Sequence, residues 1–252
     1  MLIDTHCHLS KNDYDNLDEI ISEMDGYMIT SGCDDETNKE VLEMIAKYDN
    51  VYGTIGIHPE EIDKITENSF KFIEDNLNNP KIVAIGEIGL DYYWVKDNIE
   101  KQKEVFEYQV KLAEKYNIPI VVHSREAIQD TYDILKKYKV TGTIHCFSSS
   151  LEMAKEFIKI GALLGIGGVL TFKNSHLYEV VDALDITSFV TETDCPYLTP
   201  APNRGKRNEP AYLVYIVEKM AEIKKMQIDE ISDILYQNAK EILRIKDYEE
   251  KN

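Results

Sequence analysis

The sequence predicts an α/β chain closed as a (β/α)8 barrel of the TIM type with an extra helix at its C-terminus, and three observations predict it. Short apolar, β-rich runs recur eight times, amphipathic helical patterns lie between them, and polar residues collect at the ends of the runs, where such barrels place their chemistry. The length, 252 residues with 43% hydrophobic side chains, is enough for one barrel and its core. No low-complexity linker divides the chain, so residues 1–252 read as a single domain.

The runs are "LIDTHCHL" (2–9), "GYMITSGC" (26–33), "VYGTIGIH" (51–58), "KIVAIGEIGL" (81–90), "IPIVVHS" (118–124), "TGTIHCF" (141–147), "ALLGIGG" (162–168) and "FVTETD" (189–194). Among the helical patterns, residues 98–116 place Val105, Tyr108, Gln109 and Leu112 at three-to-four spacing. Residues 125–138 and 150–161 repeat the pattern, the latter ending on Gly161, suited to the position just past a helix. Helical stretches at 209–224 and 228–245 follow. An open doubly wound sheet is the structural alternative. It would usually carry a GxGxxG loop after a strand, and "GIGG" (165–168) does not match.

Charge excludes some roles. With 28 Lys and Arg against 46 Asp and Glu, the formal charge is −18, which disfavours wholesale coating of nucleic acid or anionic membrane. A polyanionic substrate has to be held locally, by metal ions or a small basic patch. The four cysteines, Cys7, Cys33, Cys146 and Cys195, form no CxxC. Without a signal peptide they read as reduced thiols, and a cytoplasmic location is expected. No run of about 18 apolar residues suggests a membrane span, and nothing points to an obligate protein partner.

The polar residues are unusual in their placement. His6 and His8 end the first run, His58 the third, Glu87 the fourth, His123 the fifth, His145 the sixth and Asp194 the eighth. Five of the six histidines in the chain therefore finish predicted strands. A lone strand-end histidine is most often a hydrogen-bonded structural residue. Burying seven such groups without a compensating partner would cost about 1–3 kcal/mol each, and a divalent cation supplies the compensation. Imidazole and carboxylate donors suit zinc, manganese, iron or cobalt, and magnesium less well. The His6–His8 pair can hold one ion, His123 and His145 a second, and Glu87 can bridge the two. In a regular strand Asp4 shares the face of His6 and His8. It is either an acceptor that orients a histidine or a core aspartate capped by backbone amides.

These motifs, in this order, resemble the TatD family of metal-dependent hydrolases within the amidohydrolase-like barrels. The resemblance rests on "DTHCHL" (4–9), "GIHP" (56–59), "GEIGLD" (86–91), "PIVVHSREA" (119–127), "HCFS" (145–148), "GIGGVLTFKN" (165–174), "ETDCPYLTP" (192–200) and "RGKRNEPAYL" (204–213). It implies two divalent ions per chain and hydrolysis of phosphodiesters, with DNA as substrate. By motif, His6, His8, Glu87 and Asp194 would ligate one ion and Glu87, His123 and His145 the other. "SSS" (148–150) stands where relatives usually have serine–glycine–serine, and "GIHPEE" is more acidic after its proline than in many relatives. Neither departure touches a ligand.

In a two-metal site the pKa of a shared water falls to roughly 7, and Asp194 is expected to take its proton as well as ligate, with Glu87 as the other catalytic carboxylate. His58 is a candidate phosphate contact or leaving-group donor. Arg125, Arg204, Lys206 and Arg207 are candidate phosphate contacts, since "RGKR" is the dense basic run of an acidic chain; Lys173 also follows the seventh run. Trp94 and Tyr92–Tyr93 could stack on a nucleobase. Three classes of function compete: a phosphodiesterase or deoxyribonuclease, an amide or ester hydrolase such as a D-aminoacyl-tRNA deacylase, and a non-catalytic metal-bound scaffold. The complete ligand set argues against the scaffold, and the basic groups favour a phosphorus substrate.

Overall fold

The computed structural model describes residues 1–245. Among these residues eight parallel strands run β1 (Leu2–Cys7), β2 (Gly26–Ser31), β3 (Val51–Ile55), β4 (Ile82–Asp91), β5 (Ile120–Arg125), β6 (Gly142–Ile144), β7 (Ala162–Ile166) and β8 (Phe189–Thr191), each paired with its sequence neighbour. The seam between β8 and β1 is joined by Asp194 N donating to His6 O at 2.9 Å and His8 N donating to Cys195 O at 2.7 Å. This is the (β/α)8 barrel expected from the alternation of runs.

The helices are α1 (Leu17–Glu23), α2 (Asp35–Lys47), α3 (Glu67–Asn76), α4 (Ile99–Tyr116), α5 (Ile128–Leu135), α6 (Leu151–Lys159), α7 (Leu177–Ala183), α8 (Leu213–Lys224) and α9 (Ile228–Ile242). Local chemistry sets their ends. Asp34 starts α2 by accepting from Glu36 N and Thr37 N. Ser150, the last of the three serines, starts α6 by accepting from Met153 N. Gly161 follows α6 with φ +91°, a conformation glycine adopts freely. The stretch 209–224 is not one helix: Pro210–Tyr212 is a 3-10 turn and α8 begins at Leu213, because proline donates no amide and starts the turn.

Two apolar layers hold the barrel. The larger lies between strands and helices. The smaller joins Ile3, Ile29, Tyr52, Val83, Val121 and Val190 to Ala239 and Leu243 at the end of α9. Val121 and His123, and Val190 and Glu192, are two residues apart, so this layer shares the barrel interior with the polar residues above it. The extra helix α9 therefore closes the floor under the site.

Two details differ from a plain reading of alternation. His6, Glu87 and His123 lie within strands, but His8, His58, His145 and Asp194 fall just past the strand ends, each still held by its backbone N–H on a neighbouring carbonyl. Asp4 also leaves the face of His6. The β1–β2 register passes from Asp4↔Met28 to Cys7↔Thr30, three steps against two, and such a bulge turns the intervening side chains. Asp4 comes to lie with Cys7 and Cys195. Its carboxylate accepts from Thr193 N at 2.9 Å, Thr193 Oγ1 at 2.5 Å and His6 N at 3.3 Å. It is the amide-capped core aspartate and touches no imidazole.

Candidate metal centre and its cavity

Glu87, midway along β4 and 3% exposed, joins two donor groups through its two oxygens. Oε2 lies 3.4 Å from His6 Nε2 and 3.6 Å from His8 Nε2. The two imidazoles are 3.2 Å apart at Nε2, and each lies 3.6 Å from Asp194 Oδ1. Oε1 lies 3.1 Å from His123 Nδ1 and 3.0 Å from His145 Nε2, which are 3.3 Å from each other. His58 Nε2 adds a further contact to Oε1 at 3.5 Å.

What each imidazole does on its far side decides what it presents to the centre. Ser31 O sits 3.3 Å from His8 Nδ1. A carbonyl only accepts, so His8 Nδ1 carries the proton and Nε2 presents its lone pair. Asp91 Oδ2 accepts from His123 Nε2 at 3.0 Å, leaving His123 Nδ1 as a lone pair. Glu192 Oε1, which accepts from Cys146 N, lies 3.4 Å from His145 Nδ1, close beside the ring without a hydrogen bond to it. Ser31 Oγ, itself receiving a hydrogen bond from Thr54 Oγ1, faces His6 Nδ1 at 3.0 Å. Orienting groups of this kind are what metal-ligating histidines require.

The lone pairs of His8 Nε2 and His123 Nδ1 thus face the Glu87 carboxylate across 3.6 and 3.1 Å, which is repulsive unless positive charge lies between them. A tetrahedral ion about 2.0–2.2 Å from each donor needs donor separations of about 3.3–3.6 Å, close to those around His6, His8, Glu87 and Asp194. The donor set fits divalent metal. The electrostatics agree. Burial pushes the Glu87 carboxyl up, but His145, His6 and His58 outweigh it and hold it well below the usual glutamate range. Burial pushes the His145 imidazole down, but Glu87 and Glu192 hold it well above its ordinary value. Burial would also raise Asp194, yet the bond with His8 and the nearby His145 and His6 keep it lowered. The site is built to stabilise cationic charge among ionised carboxylates.

The centre forms the base of a cavity of about 780 Å³. His8, His58, Glu87, His123, His145 and Asp194 line it, with Trp94, Arg125 and Tyr197 on its walls. The Arg125 guanidinium stacks 4.2 Å over the Tyr93 ring and 5.3 Å from that of Trp94. Glu36, Glu40, Glu60 and Glu61 also line the cavity. The structure does not bring "RGKR" to this cavity. Arg204 stacks 3.9 Å over Phe172 and donates to Thr199 O at 3.1 Å. Arg207 lies 5.6 Å over Tyr14, and Lys206 and Arg207 are exposed. The loop folds back on itself, with Thr199 Oγ1 donating to Lys206 O and Asn208 Nδ2 to Thr193 O and Tyr197 O. Among the described residues Arg125 is the one lysine or arginine lining the cavity. His176 is exposed and does not line the cavity.

Sequence reasoning missed Asp91, Glu192, Ser31 and Cys33. Glu192 stands two residues before Asp194, the spacing that puts both on one face, and Asp91 ends the strand that carries Glu87. Those spacings were the available signal. Cys33 Sγ donates to Glu87 Oε2 at 3.7 Å, and nothing in the sequence marked it. Glu192 depends on a close approach: a Cβ at Gly165 would overlap its Oε2. Gly165→Ala is therefore expected to displace Glu192, release His145 and weaken zinc binding about 10–100-fold, the usual cost of losing an orienting partner. Calorimetric zinc titration checks this; native affinity would show that Glu192 does not orient His145.

A (β/α)8 barrel with imidazole and carboxylate donors joined at the C-terminal mouth is the architecture of a metal-dependent hydrolase. Residues 3–244 match the family model described as TatD related DNase, and the chain belongs to the TatD family. It is 43% identical over 254 residues to the uncharacterized metal-dependent hydrolase YabD of Bacillus subtilis (strain 168), covering 97% of this chain and all of that one. It is 38% identical over 244 residues to the uncharacterized metal-dependent hydrolase MJ1582 of Methanocaldococcus jannaschii, covering 94% of each. Among solved structures, YJJV, a TatD homologue from Escherichia coli K12, superposes with a TM-score of 0.89 at 30% identity, covering 97% of this chain and 98% of that one. No helix among the described residues is long and apolar enough to cross a membrane.

Proposed function

We propose that this metal-dependent hydrolase cleaves phosphodiester bonds in DNA, acting at a strand end, with two divalent ions held by His6, His8, Glu87 and Asp194 on one side and Glu87, His123 and His145 on the other. The observation that carries this reading is the pairing of the two donor groups through Glu87 with one guanidinium, Arg125, on the adjacent wall. Bound there, divalent ions supply charge neutralisation at the phosphoryl group and lower the pKa of the attacking water. The chain does the rest. Arg125 binds a phosphate oxygen, held in place by Tyr93 and Trp94. Asp194, ionised and directed into the cavity, accepts the proton of the water. Glu60 N lies 3.3 Å from His58 Nδ1, so Nδ1 accepts and Nε2 carries the proton that His58 can give to the leaving oxygen. The acidic wall opposes a continuous polyanion, which favours a terminal phosphodiester with its base against Trp94.

The same acidic wall supports one other reading. A substrate with an ammonium group beside a carbonyl, such as a D-aminoacyl ester, would place its amine towards Glu36 and Glu40. Turnover of bis(p-nitrophenyl) phosphate, single-stranded DNA and a D-aminoacyl ester, each with and without chelator, tests both. Phosphodiester turnover abolished by chelator supports the proposal; turnover of the aminoacyl ester alone overturns it. Within the phosphodiester reading, Arg125→Ala is expected to raise KM for DNA about 10–100-fold, the loss of a charge-assisted hydrogen bond, with metal content unchanged. Neutralising Lys206 and Arg207 together is expected to change KM much less, because neither side chain lines the cavity. Steady-state kinetics across the variants checks the order.

A further inference from the structure

We propose that Asp91 is a positioning residue that ties the orientation of His123 to the loop carrying Tyr93, Trp94 and the seat of Arg125. Asp91 ends β4 and is fully buried. Its Oδ2 accepts from His123 Nε2 at 3.0 Å. Its Oδ1 accepts from Tyr93 N and Trp94 N, both at 2.8 Å. One carboxylate thus fixes an imidazole of the metal centre with one oxygen and the start of the fourth loop with the other.

The carboxylate cannot swing to serve one partner alone. Gln102, buried on α4, accepts from Asp91 N at 2.9 Å and donates to Asp91 O and to Val95 O, each at 3.0 Å. It clamps the backbone on both sides of the Tyr93–Trp94 turn. Arg125 is paired with Asp91 in the β4–β5 ladder, and Tyr92 N donates to Arg125 O at 3.0 Å. The guanidinium then returns over the Tyr93 and Trp94 rings. A turn of the His123 ring must move Asp91 Oδ2, hence Oδ1, hence the two amides that hold the aromatic wall. The metal centre and the substrate wall are therefore linked through one side chain. This rests on His123 acting as a metal ligand, and not on which substrate is cleaved.

Trp94 is the single tryptophan of the chain, so its emission reads this loop. The test titrates zinc into chelator-treated protein while recording bound zinc per chain and Trp94 emission, for the wild type, Asp91→Asn, Asp91→Ala and His123→Ala, with thermal midpoints to confirm folding. In wild type, emission is expected to change with the zinc-binding step that His123→Ala removes. Asp91→Asn keeps an oxygen for the two loop amides but turns a donor towards His123, forcing its proton onto Nδ1. It is expected to leave emission before zinc as in wild type, to weaken that step about 10–100-fold and to spare KM at saturating zinc. Asp91→Ala is expected to weaken the same step and also to shift emission before zinc and raise KM. Native zinc affinity in Asp91→Asn, or wild-type emission in a folded Asp91→Ala, overturns the proposal. Unchanged zinc stoichiometry in His123→Ala overturns it differently, by removing the ligand assignment itself.

Discussion

Glu87→Gln is expected to abolish the paired centre. Its carboxylate contributes Oε2 to the side of His6, His8 and Asp194 and Oε1 to the side of His123 and His145. An amide offers one oxygen, no charge and an N–H₂ directed at an imidazole lone pair. Affinity should fall at both positions by more than the roughly 10–100-fold typical of losing an orienting partner. Turnover should fall beyond the ~10²–10³-fold seen when one oriented electrostatic group is lost. The barrel should survive, since the layer of Ile3, Ile29, Val121 and Val190 on α9 is untouched. Metal analysis of the dialysed variant with kcat at saturating metal checks this. If both ions bind with native affinity, Glu87 does not join the two sides.

Asp194→Asn separates holding metal from moving a proton. Asp194 Oδ1 faces both His6 and His8, and the residue sits at φ 55° just past β8, in a left-handed turn uncommon outside glycine and asparagine. Asparagine suits that backbone and keeps one oxygen, so the fold and metal binding should change little. It removes the basic charge. With Asp194 as the proton acceptor, kcat should fall by roughly 10²–10⁴-fold. Since burial, His8, His145 and His6 together leave the carboxyl below its ordinary value, the wild type should keep its base ionised down into the acidic range. The acidic limb of kcat against pH should therefore change in the variant. Near-native kcat at full metal occupancy would leave Asp194 a ligand only.

The strand-end histidines and carboxylates were legible because each is an exception to local expectation: a charged or titratable group closing an apolar run. Asp4 was misleading for the same reason, since the alternation that links it to His6 fails at a bulge no residue type announces. "RGKR" looked like a phosphate site because it is dense in charge, but charge density does not say which way a loop folds. Thr199, Phe172 and Asn208 turn that loop onto the barrel and away from the cavity.

Patterning along the chain was enough to read the barrel, the order of its elements and the polar side chains that meet in the cavity. Each of these follows from residue type at short range: periodicity of two or 3.6, caps such as Asp34 and Ser150, and polar groups at strand ends. How those side chains are aimed was set by packing across the closed barrel. Asp91 against His123, Glu192 against His145 and Ser31 against His6 are pairings between strands that lie tens of residues apart in the chain. Their distances depend on register and side-chain packing across the closed barrel. A hydrogen bond is made or lost within a fraction of an ångström, a scale that no spacing in the linear chain encodes.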